Sequence, residues 1–248
     1  MLLCGCLNPK TVDIIHEVTL AKGMKSAMKT LKKMQSGFTL VEIAIVLVII
    51  GLLLGGVLKG QELINSAKVK NMANEFRSIS AFVYAYQDRF RALPGDDRSA
   101  DTHVNGGIRA TTGNVGNARI DGHWNSDTPS DESYLFWQHV RLAGLATGTP
   151  DTTSNDYIPR NAEGGRIGIT GNPILTAPAS TRPYPASFYI CSQGIQGRYA
   201  RQIDTTIDDG NTQTGSVRAI PDGSATTTDA IEVLASDDAM LYTVCMGF

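Results

Sequence analysis

The chain contains no G-x-S-x-G, H-E-x-x-H or P-loop sequence. The short patterns that place a serine nucleophile, a catalytic zinc or a nucleotide phosphate are therefore missing. Histidine is scarce, and His103, His123 and His139 show no metal-ligand spacing. Surface or capping roles are expected of them, and an enzyme is not expected. Excess positive charge is also lacking: the net charge is −2, which argues against a general nucleic-acid binder. Charged residues at 19% and aromatics at 7% show no bias toward disorder, collagen or a coiled coil. Proline and glycine are both absent from Gln61 through Phe90, so nothing there interrupts a helix.

What charge there is falls unevenly. Residues 1–37 hold six lysines against Asp13 and Glu17, a net +4, which leaves −6 on the other 211 residues. Basic charge precedes an apolar segment and acidic charge follows it. The positive-inside rule then keeps the N-terminus cytoplasmic and sends the C-terminal body across the membrane. Cysteines split two and two: Cys4 and Cys6 at the start, Cys191 and Cys245 in the body. An exported body suits a Cys191–Cys245 disulfide, worth ~4 kcal/mol by loop entropy. The alternative is two buried thiols.

The apolar segment is Phe38–Leu58, FTLVEIAIVLVIIGLLLGGVL, with Glu42 as its one charge. At ~1.5 Å per residue it spans one hydrocarbon core. It is too long for a secretory signal peptide, and no small-residue cleavage site follows. A carboxylate this deep costs a few kcal/mol unless paired, and no Lys or Arg lies within a helical turn of it. An α-amino group created at Phe38 by cleavage after Gly37 would serve. A snorkelling or protonated Glu42 near the helix end is the other reading.

Lys32-Lys33-Met34-Gln35-Ser36-Gly37 followed by Phe38-Thr39-Leu40-Val41-Glu42 resembles the prepilin cleavage and methylation motif of type IV pilins and type II secretion pseudopilins. The resemblance is specific over residues 28–65 and architectural beyond. It implies that a prepilin peptidase cuts between Gly37 and Phe38 and N-methylates Phe38. It implies that Glu42 neutralises the Phe38 amine of a neighbouring subunit. It further implies an inner-membrane assembly platform, partner pilin subunits, and a filament as the final location. Many family members carry a proline near the end of the membrane segment; here Leu58-Lys59-Gly60 stands in its place. That departure and the large body favour a minor pilin or pseudopilin. Gly51, Gly55 and Gly56 either loosen the helix or allow close packing.

The expected organisation is a leader over 1–37, a long helix over 38–92 that is transmembrane over 38–58, and a periplasmic or extracellular domain over 93–248. Residues 1–23 are expected to be an over-extended translation start, since Met24 or Met28 gives the short leader usual in the family. Met72, Phe76, Ile79, Val83, Tyr86 and Phe90 recur at helical spacing and form one apolar stripe. The fold class expected is α+β: this helix packed on a small antiparallel sheet, with extra short helices and loops.

In the body, 99–128 and 148–185 read as loops, and 130–146 as a helix capped by Ser130 or Asp131. Residues 199–207 read as a short helix. Strands are expected at 167–170, 186–191, 216–220 and 240–246, the second and last bringing Cys191 and Cys245 together. Asp204, Asp208, Asp209 and Asn211 cluster oxygens that calcium favours, but lack EF-hand spacing; capping and turns are the expected use, as for Asp96-Asp97 and Asp237-Asp238. No cofactor or metal is expected, with Ca²⁺ the one conceivable exception. A tip-located adhesin or DNA-uptake pilin is the alternative function. Arg198, Arg201 and Arg218 would be its candidate contacts, against a net −6 that disfavours nucleic acid.

Overall fold

The structure, a computed structural model, describes residues 37–176 and 184–248. The basic leader, the proposed alternative starts, and Cys4 and Cys6 lie outside the described residues. The chain divides after Ile50 into two compact units, the second being Gly51–Phe248.

Helix α1 is Leu40–Phe90. It ends with Arg91 in the left-handed region at φ 57°, ahead of Leu93-Pro94-Gly95. Proline and a left-handed residue are two common ways to stop a helix. Within the second unit, Met72, Phe76, Ile79, Val83 and Tyr86 are buried, as the stripe predicts, with Val69 and Ala73 beside them. Phe90, the last of the stripe, is only partly buried.

The sheet has four antiparallel strands in the order β1-β2-β4-β3: β1 Ile167–Thr170, β2 Tyr189–Gln196, β3 Val217–Pro221 and β4 Leu241–Gly247. The period-2 alternation of strands sorts its residues onto two faces. Ile190, Ala219 and Val244 pack with the α1 stripe, with Phe136, Trp137 and Val140 of α3 (Glu132–Leu142), and with Tyr199 and Ile203 of α4 (Gly197–Ile207). Tyr189, Cys191, Ile220 and Cys245 pack instead with Trp124 and Ile174. Both faces are thus covered, which makes this an α+β domain with a long helix on one side of its sheet.

Several expectations are corrected. The second strand was expected to end at Cys191 but continues to Gln196. Ser192, Gln193 and Gly194 look like a loop, yet the ladder with β4 resumes at Ile195 after a register shift. Gly194 takes φ +71° there and donates its N–H to Asp222 Oδ1 at 2.9 Å, the behaviour of a bulge residue. The loop expected over 99–128 contains a one-turn helix, α2, Ala100–His103. Asp131 does occupy the N-cap of α3, but makes no side-chain cap bond; its carboxylate accepts the Ser126 hydroxyl at 2.6 Å.

Polar residues pin the long loops. Asp96 accepts the backbone N–H groups of Gly116, Asn117 and Ala118. Asp97 accepts the Tyr86 hydroxyl at 2.8 Å and contacts His103 Nδ1 at 2.6 Å. Buried Arg141 donates to the carbonyls of Thr147, Thr149 and Tyr157. His139 is fully buried; its Nδ1 accepts the Gly95 N–H at 2.8 Å and its Nε2–H reaches Ile108 O at 2.7 Å. The surface or capping role expected of it is therefore wrong: it is a neutral core connector, and burial lowers its pKa.

Glu132, also fully buried, accepts the Asp121 N–H through Oε2 at 2.7 Å and leaves Oε1 without a partner. Burial, followed by the charges of Asp96 and Asp121, pushes its pKa up to about 7, opposed by the Asp121 hydrogen bond and Arg119. An acid raised in this way binds more protons folded than unfolded between about 4.5 and 7. Its contribution to stability therefore falls as pH rises through that window. Glu132→Gln is expected to be more stable than wild type at pH 8, by on the order of 3 kcal/mol, with the difference vanishing near pH 4. Urea denaturation at several pH values checks this. A Glu132→Gln chain that is less stable at pH 8 would show that the carboxylate is needed ionised.

Candidate functional site

Gly37, Phe38 and Thr39 precede α1 without helical structure. Phe38 is 80% exposed, and the bond joining it to Gly37 lies just outside the helix. Thr39 Oγ1 accepts the Glu42 N–H at 3.2 Å. In return, Glu42 Oε2 accepts the Thr39 N–H at 2.8 Å and the Thr39 hydroxyl at 2.8 Å. This reciprocal pair is a capping box, which satisfies donors that a helix start leaves open. A carboxylate in the first turn also complements the helix dipole. Sequence reasoning sought only a charged partner for Glu42. It overlooked the cap, although Thr39-x-x-Glu42 was legible as one.

From Phe38 through Leu58 every side chain is exposed, including Leu47, Leu52 and Leu58. So contiguous an apolar surface is not left to water by a soluble chain. Among the described residues, one helix, α1, is long and apolar enough to cross a membrane.

In the body, Cys191 and Cys245 form a disulfide and stand directly opposite each other in the β2–β4 register. Both are fully buried. The two strands assigned from the sequence do bring the cysteines together. The three arginines considered as nucleic-acid contacts each have an intramolecular contact. Arg201 pairs with Asp238, Arg198 lies over the Tyr199 ring, and Arg218 lies over the Tyr184 ring.

The acidic residues after α4 divide in their behaviour. Asp208 Oδ2 accepts the N–H groups of Ser216 and Val217. Asp209 accepts the Asn211 N–H at 2.9 Å and the Thr214 hydroxyl at 2.7 Å. These are the turn roles expected. Asp204 departs from that reading: it is fully buried, and neither carboxylate oxygen has a hydrogen-bond partner.

An exposed apolar helix with a carboxylate in its first turn, entered through an accessible Gly-Phe bond, fits a membrane-anchored chain. More particularly, residues 32–58 match the family model of the prokaryotic N-terminal methylation motif, the prepilin signature of type IV pilins and pseudopilins. Over these residues the chain is similar to the N-terminus of pilins and pseudopilins. No curated protein matches it.

Proposed function

We propose that this chain is a structural subunit, a minor pilin or minor pseudopilin, of a type IV pilus or type II secretion pseudopilus, and that its work is assembly rather than catalysis. A prepilin peptidase cuts between Gly37 and Phe38 on the cytoplasmic side and methylates the new Phe38 amine. Methylation leaves that amine cationic. It then sits next to the positive end of a helix dipole, an unfavourable place for a cation. Glu42 of a neighbouring subunit supplies the compensating charge as the apolar helices bundle. The inner-membrane assembly platform brings the subunits together, and the disulfide-bonded body lies on the periplasmic side.

The observation that carries this reading is the prepilin signature over residues 32–58, whose Gly37-Phe38 bond is exposed and lies outside α1. Intact-mass and N-terminal peptide analysis of the protein from membranes, with and without the peptidase, tests it. The mature chain is expected to begin at Phe38 with one added methyl group, and to keep its leader when the peptidase is absent. A leader retained in the presence of active peptidase would reduce the motif to a plain membrane anchor.

A further inference from the structure

We infer, on the membrane-anchored reading of α1, that the cleft between α1 and α4 holds the phosphate of an anionic phospholipid headgroup, with Lys70 and Arg198 as its cationic contacts. The cleft lies just beyond the apolar run. It has a volume of about 480 Å³, and Asn65, Ser66 and Lys70 of α1 face Arg198, Arg201 and Gln202 of α4 across it. That volume suits a small polar ligand. α4 is fastened to α1 at this point: Tyr199 is buried, and its hydroxyl donates to Asn65 Oδ1 at 2.9 Å. Glu62 is the acid in the cleft wall, and Lys59 Nζ already answers its carboxylate at 2.6 Å.

The 211 residues after Gly37 carry −6, yet this wall is cationic. Two cations share the Tyr199 ring, Lys68 Nζ at 5.8 Å from its centroid and the Arg198 guanidinium at 4.7 Å. Lys68 is answered by Glu163 at 2.7 Å, and Arg198 opposes its charge. Among the described residues no carboxylate pairs with Arg198 or with Lys70, and both are exposed. Arg201 pairs with Asp238 through Nη2, but its buried Nε–H has no acceptor, although buried donors are nearly always bonded. Cations gathered around one cleft repel unless an anion enters. Guanidinium forks match the oxygens of a phosphate, and an ammonium meets them as a point charge.

Position selects the source of the phosphate. The exposed apolar surface of α1 runs to Leu58, and Leu63 and Ile64 extend it by a further turn. Asn65 and Ser66 follow directly, and Lys70 stands six residues beyond Ile64, ~9 Å along the helix. A headgroup layer is roughly 5–7 Å deep, and Lys and Arg lay apolar stems along a surface to bring their charged ends to such a boundary. The cleft is therefore within reach of lipid phosphates. A headgroup held there fixes α4 against the membrane surface until the subunit leaves the bilayer.

The test reconstitutes the full chain into vesicles of equal parts phosphatidylcholine and phosphatidylglycerol. Native mass spectrometry then reads the ratio of the two lipids that the chain retains. The lysines before Phe38 attract anionic lipid in every variant alike, so the measurement is the difference from wild type. Arg198→Gln and Lys70→Gln are each expected to lower the share of phosphatidylglycerol about 5-fold, the effect of one basic residue at an anionic surface. Both positions are exposed, so folding is not at stake. Arg77→Gln, exposed on α1 farther from the apolar run, should leave the ratio unchanged. Ratios that neither Arg198→Gln nor Lys70→Gln alters would overturn the site. So would an equal fall in Arg77→Gln, which marks diffuse attraction. Loss of the preference in millimolar inorganic phosphate would assign the cleft to free phosphate and overturn the lipid. A chain that does not float with vesicles of phosphatidylcholine alone overturns the membrane reading and the site with it. A chain that floats but is indifferent to the two substitutions overturns the site alone.

Discussion

Glu42→Gln is expected to leave the subunit processed and in the membrane but to lower its incorporation into filaments about 100-fold. Glutamine can still close a capping box with Thr39, so α1 should start at the same place. What it cannot do is neutralise a cationic Phe38 amine on a neighbour. An unpaired charge at membrane depth costs about 3 kcal/mol on the lenient insertion scale, and each 1.4 kcal/mol is roughly tenfold in an equilibrium. Thr39→Ala is the matching control. It removes the hydroxyl that bonds Glu42 and keeps the carboxylate, so the expected loss is ~1 kcal/mol of helix-start stability with assembly largely retained. Sheared-filament fractions compared with membrane fractions measure both variants. If Thr39→Ala assembles as poorly as Glu42→Gln, Glu42 serves the helix start and not the subunit contact.

The second large effect concerns the body. Replacing Cys191 and Cys245 together by alanine should remove about 4 kcal/mol of stability, because the unfolded chain regains the freedom of a loop closed over 54 positions. For a unit of this size each kcal/mol moves the unfolding temperature by roughly 2–4 °C, so a fall of roughly 8–16 °C is expected. Dithiothreitol should lower the wild type by a similar amount and leave the variant where it is. The two residues face each other across the central strand pair beneath Trp124 and Ile174. Native strand pairing therefore already holds the ends of the loop, and the cross-link acts chiefly on the unfolded chain. A shift under ~3 °C would mean that the sulfurs contribute as packed core atoms, not as a cross-link.

These two predictions differ in how they were reached. The first rests on residues that lie within five positions of one another, from Phe38 to Glu42, and local chemistry of that kind is open to sequence reading. The stripe from Met72 to Phe90 and the α4 spacing were legible for the same reason, since helical periodicity is a short-range signal. The strands carrying Cys191 and Cys245 were found, but the first of them was misplaced at both ends: expected over 186–191, it runs Tyr189–Gln196. Residues 192–194 are polar and glycine-containing, and only pairing with β4 makes them strand.

By itself, then, the sequence determined that the chain has a prepilin-type motif leading into an apolar helix long enough to cross a membrane, with an acidic residue in its first turn, and that its body has cysteines placed for one disulfide. The tertiary structure alone decided that His139 is a core connector, that Glu132 is buried with one oxygen unpaired, and that Asp204 lies buried among acids. Each of those depends on which distant segments close over a side chain. Gly95 reaches His139 across 44 positions, and Ser216 and Val217 return to Asp208 from the far side of a turn. Burial fixes the charge state of a polar group by removing water, and the loss of water at one residue is set by the packing of the rest of the chain.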